Sequence, residues 1–163
     1  MKNNPGKPRL PWVTKDGYLD VANLPIDSIL KQGLSPDVSQ FQSTCRLLAT
    51  MEAHGRKEAG VYLIGLFYRF HDDLERLIAV VEQLPEDTRS VETLVSELYR
   101  VRSTNSTRRY LNTVIKTLAR YPRQLTEEHF ERLCNDKAFS ARMRAKFKAI
   151  LNELVYKPGN NWA

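Results

Sequence analysis

Arg108-Arg109-Tyr110-Leu111-Asn112-Thr113-Val114-Ile115-Lys116-Thr117-Leu118-Ala119-Arg120 sorts into two faces when wound as a helix. At about 100° per residue, Arg109, Asn112, Thr113, Lys116 and Arg120 fall on one side. Tyr110, Leu111, Val114, Ile115 and Leu118 fall on the other. So continuous an apolar stripe is built to pack against other elements, leaving the polar side to water. A hydroxyl at Ser106 or Thr107 opens the helix, and Pro122 after Tyr121 stops it.

The same rhythm runs outward in both directions. Toward the N-terminus, Asp87 or Thr88 starts a helix with Val91, Leu94, Val95 and Leu98 on one face. Asp72 caps a helix through Leu84, where Pro85 intervenes. Arg56 to Phe70 is apolar on most sides (Val61, Tyr62, Leu63, Ile64, Leu66, Phe67), the pattern of a buried central helix. Ser35-Pro36 joins an N-cap hydroxyl to a proline at the first helical position. That helix runs to about Ala53 and stops at His54-Gly55. A shorter one covers Ile26 to Lys31 and ends at Gly33. Toward the C-terminus, Thr126-Glu127-Glu128 begins a short helix to Cys134. The last, from about Ser140 to Val155, carries Met143, Phe147, Ile150, Leu151 and Leu154 on one stripe. No segment sustains strand alternation, so the expectation is an all-α fold of about seven or eight helices. Residues 1–24, interrupted by Pro5, Pro8 and Pro11, read as an extended or partly disordered arm. Trp12, Tyr18, Leu19 and Val21 are able to strap part of it to the helical body. Residues 25–157 form a single all-α domain and residues 158–163 a tail.

A chain of 163 residues, 42% hydrophobic and 27% charged, suits one folded domain. Its longest apolar stretch, Gly60 to Tyr68, is half of what a membrane-spanning helix needs. Met1 to Pro8 has no apolar core of a signal peptide. Cys45 and Cys134 stand far apart and unpaired in sequence, which points to a reducing cytoplasm.

From Leu98 to Thr126 there are seven basic residues and no acid, a charge of +7 against +6 for the whole chain. Residues 35–97 carry −5, residues 127–136 carry −3 and residues 137–163 carry +5, so the molecule is two-signed. Clustered Arg and Lys gain counterion-release energy on a polyanion. The turn from Ser103 to Thr107 adds hydroxyls, an amide and helix N-terminal N–H groups, equipment suited to phosphate oxygens. The candidate binding residues are Arg100, Arg102, Arg108, Arg109, Asn112, Lys116 and Arg120. The competing reading is a solvated face, with Arg109 or Lys116 paired to Glu92 or Glu97.

Three helices repeat one pattern, an arginine followed by apolar residues at +3, +6, +7 and +10. The sets are Arg56, Ala59, Tyr62, Leu63, Leu66; Arg108, Leu111, Val114, Ile115, Leu118; and Arg144, Phe147, Ile150, Leu151, Leu154. Over residues 35–155 this resembles the HEAT-like α-helical repeats, which implies stacked antiparallel helix pairs serving as a scaffold and binding surface. An irregular helical bundle fits the same pattern. Residues 98–112 also resemble a helix-turn-helix. That resemblance implies Thr107, Arg108, Arg109 and Asn112 facing DNA, with Arg100 and Arg102 on phosphates. The segment departs from that family in having no glycine in its turn and a longer second helix.

Catalytic chemistry finds little support. His71-Asp72-Asp73 invites comparison with HD-type metal phosphohydrolases, with His54, His71, Asp72 and Asp136 as the implied ligands. An N-cap beside the helix dipole accounts for Asp72 and Asp73 more simply. Glu127-Glu128-His129 reads as a polar first turn. Neither cysteine has a histidine at a motif spacing, and there is no Gly-rich phosphate loop, nucleophile elbow or zinc pattern. Tyr62, Phe67, Tyr68 and Phe70 read as core rather than as a small-molecule pocket. The expectation is a non-enzymatic interaction module without a cofactor, binding an acidic protein surface or a polyanion through its basic helix face. The alternatives are a DNA-binding regulator using residues 98–112 and a metal-dependent hydrolase.

Overall fold

A computed structural model describes Thr14, Asp16, Tyr18 and residues 20–158. After a 3-10 turn at Val21–Asn23 come eight α-helices. They are α1 (Ile26–Gly33), α2 (Val38–Ala53), α3 (Lys57–Arg69), α4 (Leu74–Val81), α5 (Thr88–Arg100), α6 (Arg108–Arg120), α7 (Arg123–Leu133) and α8 (Ala141–Glu153). No strand occurs among the described residues, and no helix there is long and apolar enough to cross a membrane. The fold is all-α, as the periodicity indicates.

Caps explain most of the boundaries. The Asp73, Asp87 and Ser140 side chains accept hydrogen bonds from the N–H groups of Arg76, Ser90 and Met143. These contacts satisfy donors that a helix start leaves orphaned. Two caps differ from the sequence expectation. Asp73, not Asp72, caps α4, because it alone occupies the last extended position before the helix, while Asp72 points to solvent. Asp37, not Ser35, caps α2 by accepting from Ser39 N, and the Ser35 hydroxyl instead accepts from Asp37 N. Gly55, at φ +100°, follows α2 in the left-handed conformation that a side chain resists. Helix α7 starts three residues earlier than Thr126, directly after Pro122, which fixes the extended entry.

Helices pack mainly against their neighbours in sequence. The pairs α1/α2, α2/α3, α3/α4, α5/α6 and α7/α8 are in contact, and α2/α4, α4/α6 and α5/α7 join one pair to the next. The predicted apolar stripe of α6 is buried throughout: Tyr110, Leu111, Val114, Ile115 and Leu118. It meets α5 on one side and α4 on the other. Phe41, Leu48, Leu63, Leu77, Leu94, Phe130 and Phe147 complete a core of the kind that supplies most of the stability of a helical domain. Close approach of α1 to α2 depends on Gly33, where a Cβ would sit 2.7 Å from Thr44 Cγ2.

Helix α3 corrects the expectation of a buried central helix. It packs on α2 and α4 alone in any extent, so its outer side is uncovered: Val61 is 52% exposed, Tyr68 61%, and Tyr62 is also exposed. Of the aromatic run only Phe67 is fully buried; Phe70 is partly covered and stacks edge-on against Phe41 at 5.0 Å. Near the N-terminus, Val21 packs on the core while Tyr18 stays exposed. Arg56 Nη1 donates to the carbonyls of Val21 and Leu24 at 3.2 and 2.6 Å, tying that segment to the start of α3. Pro5, Pro8, Pro11, Trp12, Leu19 and residues 159–163 lie outside the described residues.

Candidate functional site

The polar side of α6 forms one wall of an open groove of about 730 Å³. Arg108, Arg109, Asn112, Thr113, Lys116 and Arg120 project into it, at the i, i+4 and i+7 spacings that stack side chains along one helical face. The opposite edge is the C-terminal end of α4, at Glu82 and Gln83. Sequence reasoning thus assembles the central residues of this face correctly. Among the described residues no lining side chain is apolar or aromatic, and Glu82 is the one carboxylate.

None of Arg108, Arg109, Lys116 or Arg120 forms a salt bridge among the described residues. Arg108 Nη2 donates to the neutral Asn105 Oδ1 at 3.1 Å, and Arg120 Nη2 to the Glu82 backbone oxygen at 3.3 Å. The expected alternative pairing of Arg109 or Lys116 with Glu92 or Glu97 does not form. Glu97 faces the other way, into the protein, and is engaged by Arg100 through two contacts, Nε–Oε2 at 2.7 Å and Nη2–Oε1 at 3.1 Å.

That contact removes Arg100 from the candidate face. It lines a separate groove of about 390 Å³ with Phe67, Tyr68, His71 and Glu97, between the end of α3 and α5. The Glu97 hydrogen bonds also raise the Arg100 pKa above its already high ordinary value. Arg102 is exposed and lines a third cleft with Tyr99, Phe139 and Met143, not the α6 groove. Arg123, the last cation of the acid-free stretch, is held by Glu127 at 2.6 Å.

The turn before α6 is also less available than its composition suggests. Thr104 N donates to Thr107 Oγ1 at 2.9 Å and Thr107 N to Thr104 Oγ1 at 3.3 Å, a reciprocal cap like a capping box. The Thr107 hydroxyl donates to the Arg102 carbonyl at 2.6 Å, and Thr104 Oγ1 lies 3.0 Å from Ser106 Oγ. These hydroxyls hold the turn together.

Sequence reasoning missed the contribution of α8. A cleft of about 470 Å³ runs between α6 and α8, lined by Arg108, Asn112, Arg142 and Lys146 over a floor that includes Leu111, Ile115 and Met143. Lys146 Nζ donates to Asn112 Oδ1 at 3.3 Å, so the cations of α8 flank the α6 face. The +5 balance of residues 137–163 is the signal that marks them, but no helix-wheel argument can place one helix beside another.

The metal reading does not assemble. No group of three or more His, Cys, Asp or Glu able to hold a metal occurs among the described residues. His71 Nδ1 is 3.8 Å from Asp72, and its Nε2 is 3.9 Å from Glu97. His54 Nδ1 contacts the Thr50 carbonyl at 2.7 Å, and Asp136 accepts from Tyr99 Oη at 2.6 Å. Burial, with Asp136 second, pushes the Tyr99 phenol up to about 12, and the same hydrogen bond holds Asp136 below the usual carboxylate range. Burial likewise pushes the Cys45 thiol up to about 12, the opposite of what a nucleophile requires.

What the α6 groove can do chemically is hold negative charge. Guanidinium forks, an ammonium, an amide and hydroxyls converge there, without a histidine or cysteine beside them. No protein-family profile, curated protein or solved structure matches the chain.

Proposed function

We propose that this protein is a non-enzymatic helical interaction module that binds an anionic partner through the α6 groove. One observation carries the reading. Four cations, Arg108, Arg109, Lys116 and Arg120, share one groove and none has a carboxylate partner. Elsewhere on the molecule Arg56, Arg76, Arg100 and Arg123 are each paired with an acid. Like charges placed close together repel, so four cations facing a single carboxylate, Glu82, gain free energy from a bound anion.

The row of helix pairs acts in this reading as a HEAT-like scaffold, with α6 presented from its middle and α8 alongside. The partner is a polyanion or an acidic protein surface in a reducing cytoplasm, and no cofactor is involved. A pull-down comparing wild type with Arg109→Glu/Lys116→Glu/Arg120→Glu tests it. Loss of partners from the variant is expected. Identical partner sets would mean that the face is merely solvated.

A further inference from the structure

Resting on that reading, we infer that the anion seated in the α6 groove is the sugar-phosphate backbone of duplex DNA, held without reading of its bases. The composition of the groove separates this partner from an acidic protein. Protein–protein interfaces carry a desolvated centre enriched in aromatic residues and methionine, whereas nucleic-acid interfaces are more polar and much more positive. Among the described residues the groove has no apolar or aromatic lining side chain. Three of its four cations are arginines, whose planar forks match phosphate oxygens two at a time.

The same composition separates duplex from single strand. Proteins that track single strands offer aromatic side chains on which bases stack, and none lines the groove among the described residues. The shape bears on how a duplex would be held. The cations of α6 line an open groove whose far edge is the end of α4. A recognition helix must enter the major groove to reach base edges. A row of cations along a groove wall instead meets phosphates, contacts that position a duplex without carrying sequence information. Duplex RNA fits less well, since its recognition commonly spans two minor grooves over about 16 base pairs. A helix of 13 residues is about 20 Å long, too short for that span. Asn112 and Thr113, between the cations, supply uncharged donors for sugar and phosphate oxygens.

Fluorescence anisotropy of the full chain tests this with five labelled probes at matched length. They are duplex DNA of two unrelated sequences, one of its single strands, duplex RNA and poly-glutamate. The expected result is preferential binding of both DNA duplexes with equal affinity. If all four cations neutralise phosphates, affinity should fall roughly 100-fold between 50 and 200 mM salt, following a log–log slope of about −3.6. Arg109→Ala/Lys116→Ala should shallow that slope by about 1.8 and weaken both sequences alike. Preference for one sequence, for RNA or for the single strand would overturn the inference. So would tighter binding of poly-glutamate weakened by the same substitutions, although the anionic-partner reading would then survive. Failure of every probe to bind, or binding indifferent to the double variant, would overturn both.

Discussion

Glu97 is 97% shielded from solvent within α5, yet its carboxylate is met by the half-exposed guanidinium of Arg100 through two contacts, the shorter 2.7 Å. One acid thus anchors the C-terminal turn of α5 and withdraws one arginine from the basic cluster. A buried charge is tolerated because it is paired and hydrogen-bonded.

Removing Arg100 should therefore cost stability, whereas removing Arg102, two residues away and unpaired, should not. Arg100→Ala leaves the Glu97 carboxylate buried without a guanidinium, with the His71 imidazole 3.9 Å away. A loss of about 2–3 kcal/mol is expected, below the full range for a buried pair because Arg100 is 45% exposed. Arg102→Ala should stay within about 0.5 kcal/mol. Urea denaturation midpoints of the two variants, compared with wild type, check the difference. Equal midpoints would contradict the structural role given to the pair.

Two buried tyrosines should respond unequally to loss of a hydroxyl. Tyr121 Oη donates to the Leu84 carbonyl at 3.1 Å, linking the end of α6 to the turn after α4. Tyr110 Oη is buried with no hydrogen bond of ordinary geometry; burial first, then the charge of Glu97 and last a weak contact with that carboxylate, raise its pKa. Tyr121→Phe should destabilise by about 1–2 kcal/mol, while Tyr110→Phe, which removes no well-formed hydrogen bond, should cost less. Thermal melts of both variants decide the point.

Stability should fall on acidification in two stages. His129 is held below its ordinary value of 6.5, first by burial and then by Arg132. The unfolded chain therefore takes up this proton before the folded one, and stability declines as pH passes below about 6.5. Asp73, held down by Arg76, and Glu127, held down by Arg123, have ordinary values of 3.8 and 4.5. Their folded-state pKa values are depressed, so their contribution is complete above the carboxylate range and is lost as pH falls through it. Asp73→Asn should flatten the lower stage. Denaturation midpoints measured from pH 7 to pH 3 for wild type and variant would show it, and stability that rose toward pH 3 would contradict the assignment.

Helix positions and the division of α6 into two faces were legible in the sequence because both follow from local periodicity and capping chemistry. Packing between helices was not. The stripe Tyr110, Leu111, Val114, Ile115 and Leu118 has apolar residues on one side only, so its burial needs no knowledge of neighbours. Helix α3 has them on several sides, and only the arrangement of α2 and α4 decides that Val61 and Tyr68 face water.

The basic cluster shows a subtler loss. Its acid-free stretch begins one residue after Glu97 and ends one residue before Glu127, the two acids that pair with Arg100 and Arg123. Those pairs, at i, i+3 and i, i+4, were readable from spacing. The approach of Lys146 to Asn112 across 34 residues was not. The site is therefore narrower on α6 than charge counting suggests, and it gains flanking cations from α8.

The central claim is that the α6 groove, and not overall charge, binds anions. Retention on a heparin column tests it through two variants of equal net charge. One carries Arg109→Glu, Lys116→Glu and Arg120→Glu; the other carries Lys31→Glu, Arg46→Glu and Lys137→Glu, all exposed and away from the groove. The first should elute at far lower salt than wild type while the second elutes close to it. Equal losses in both variants would contradict it.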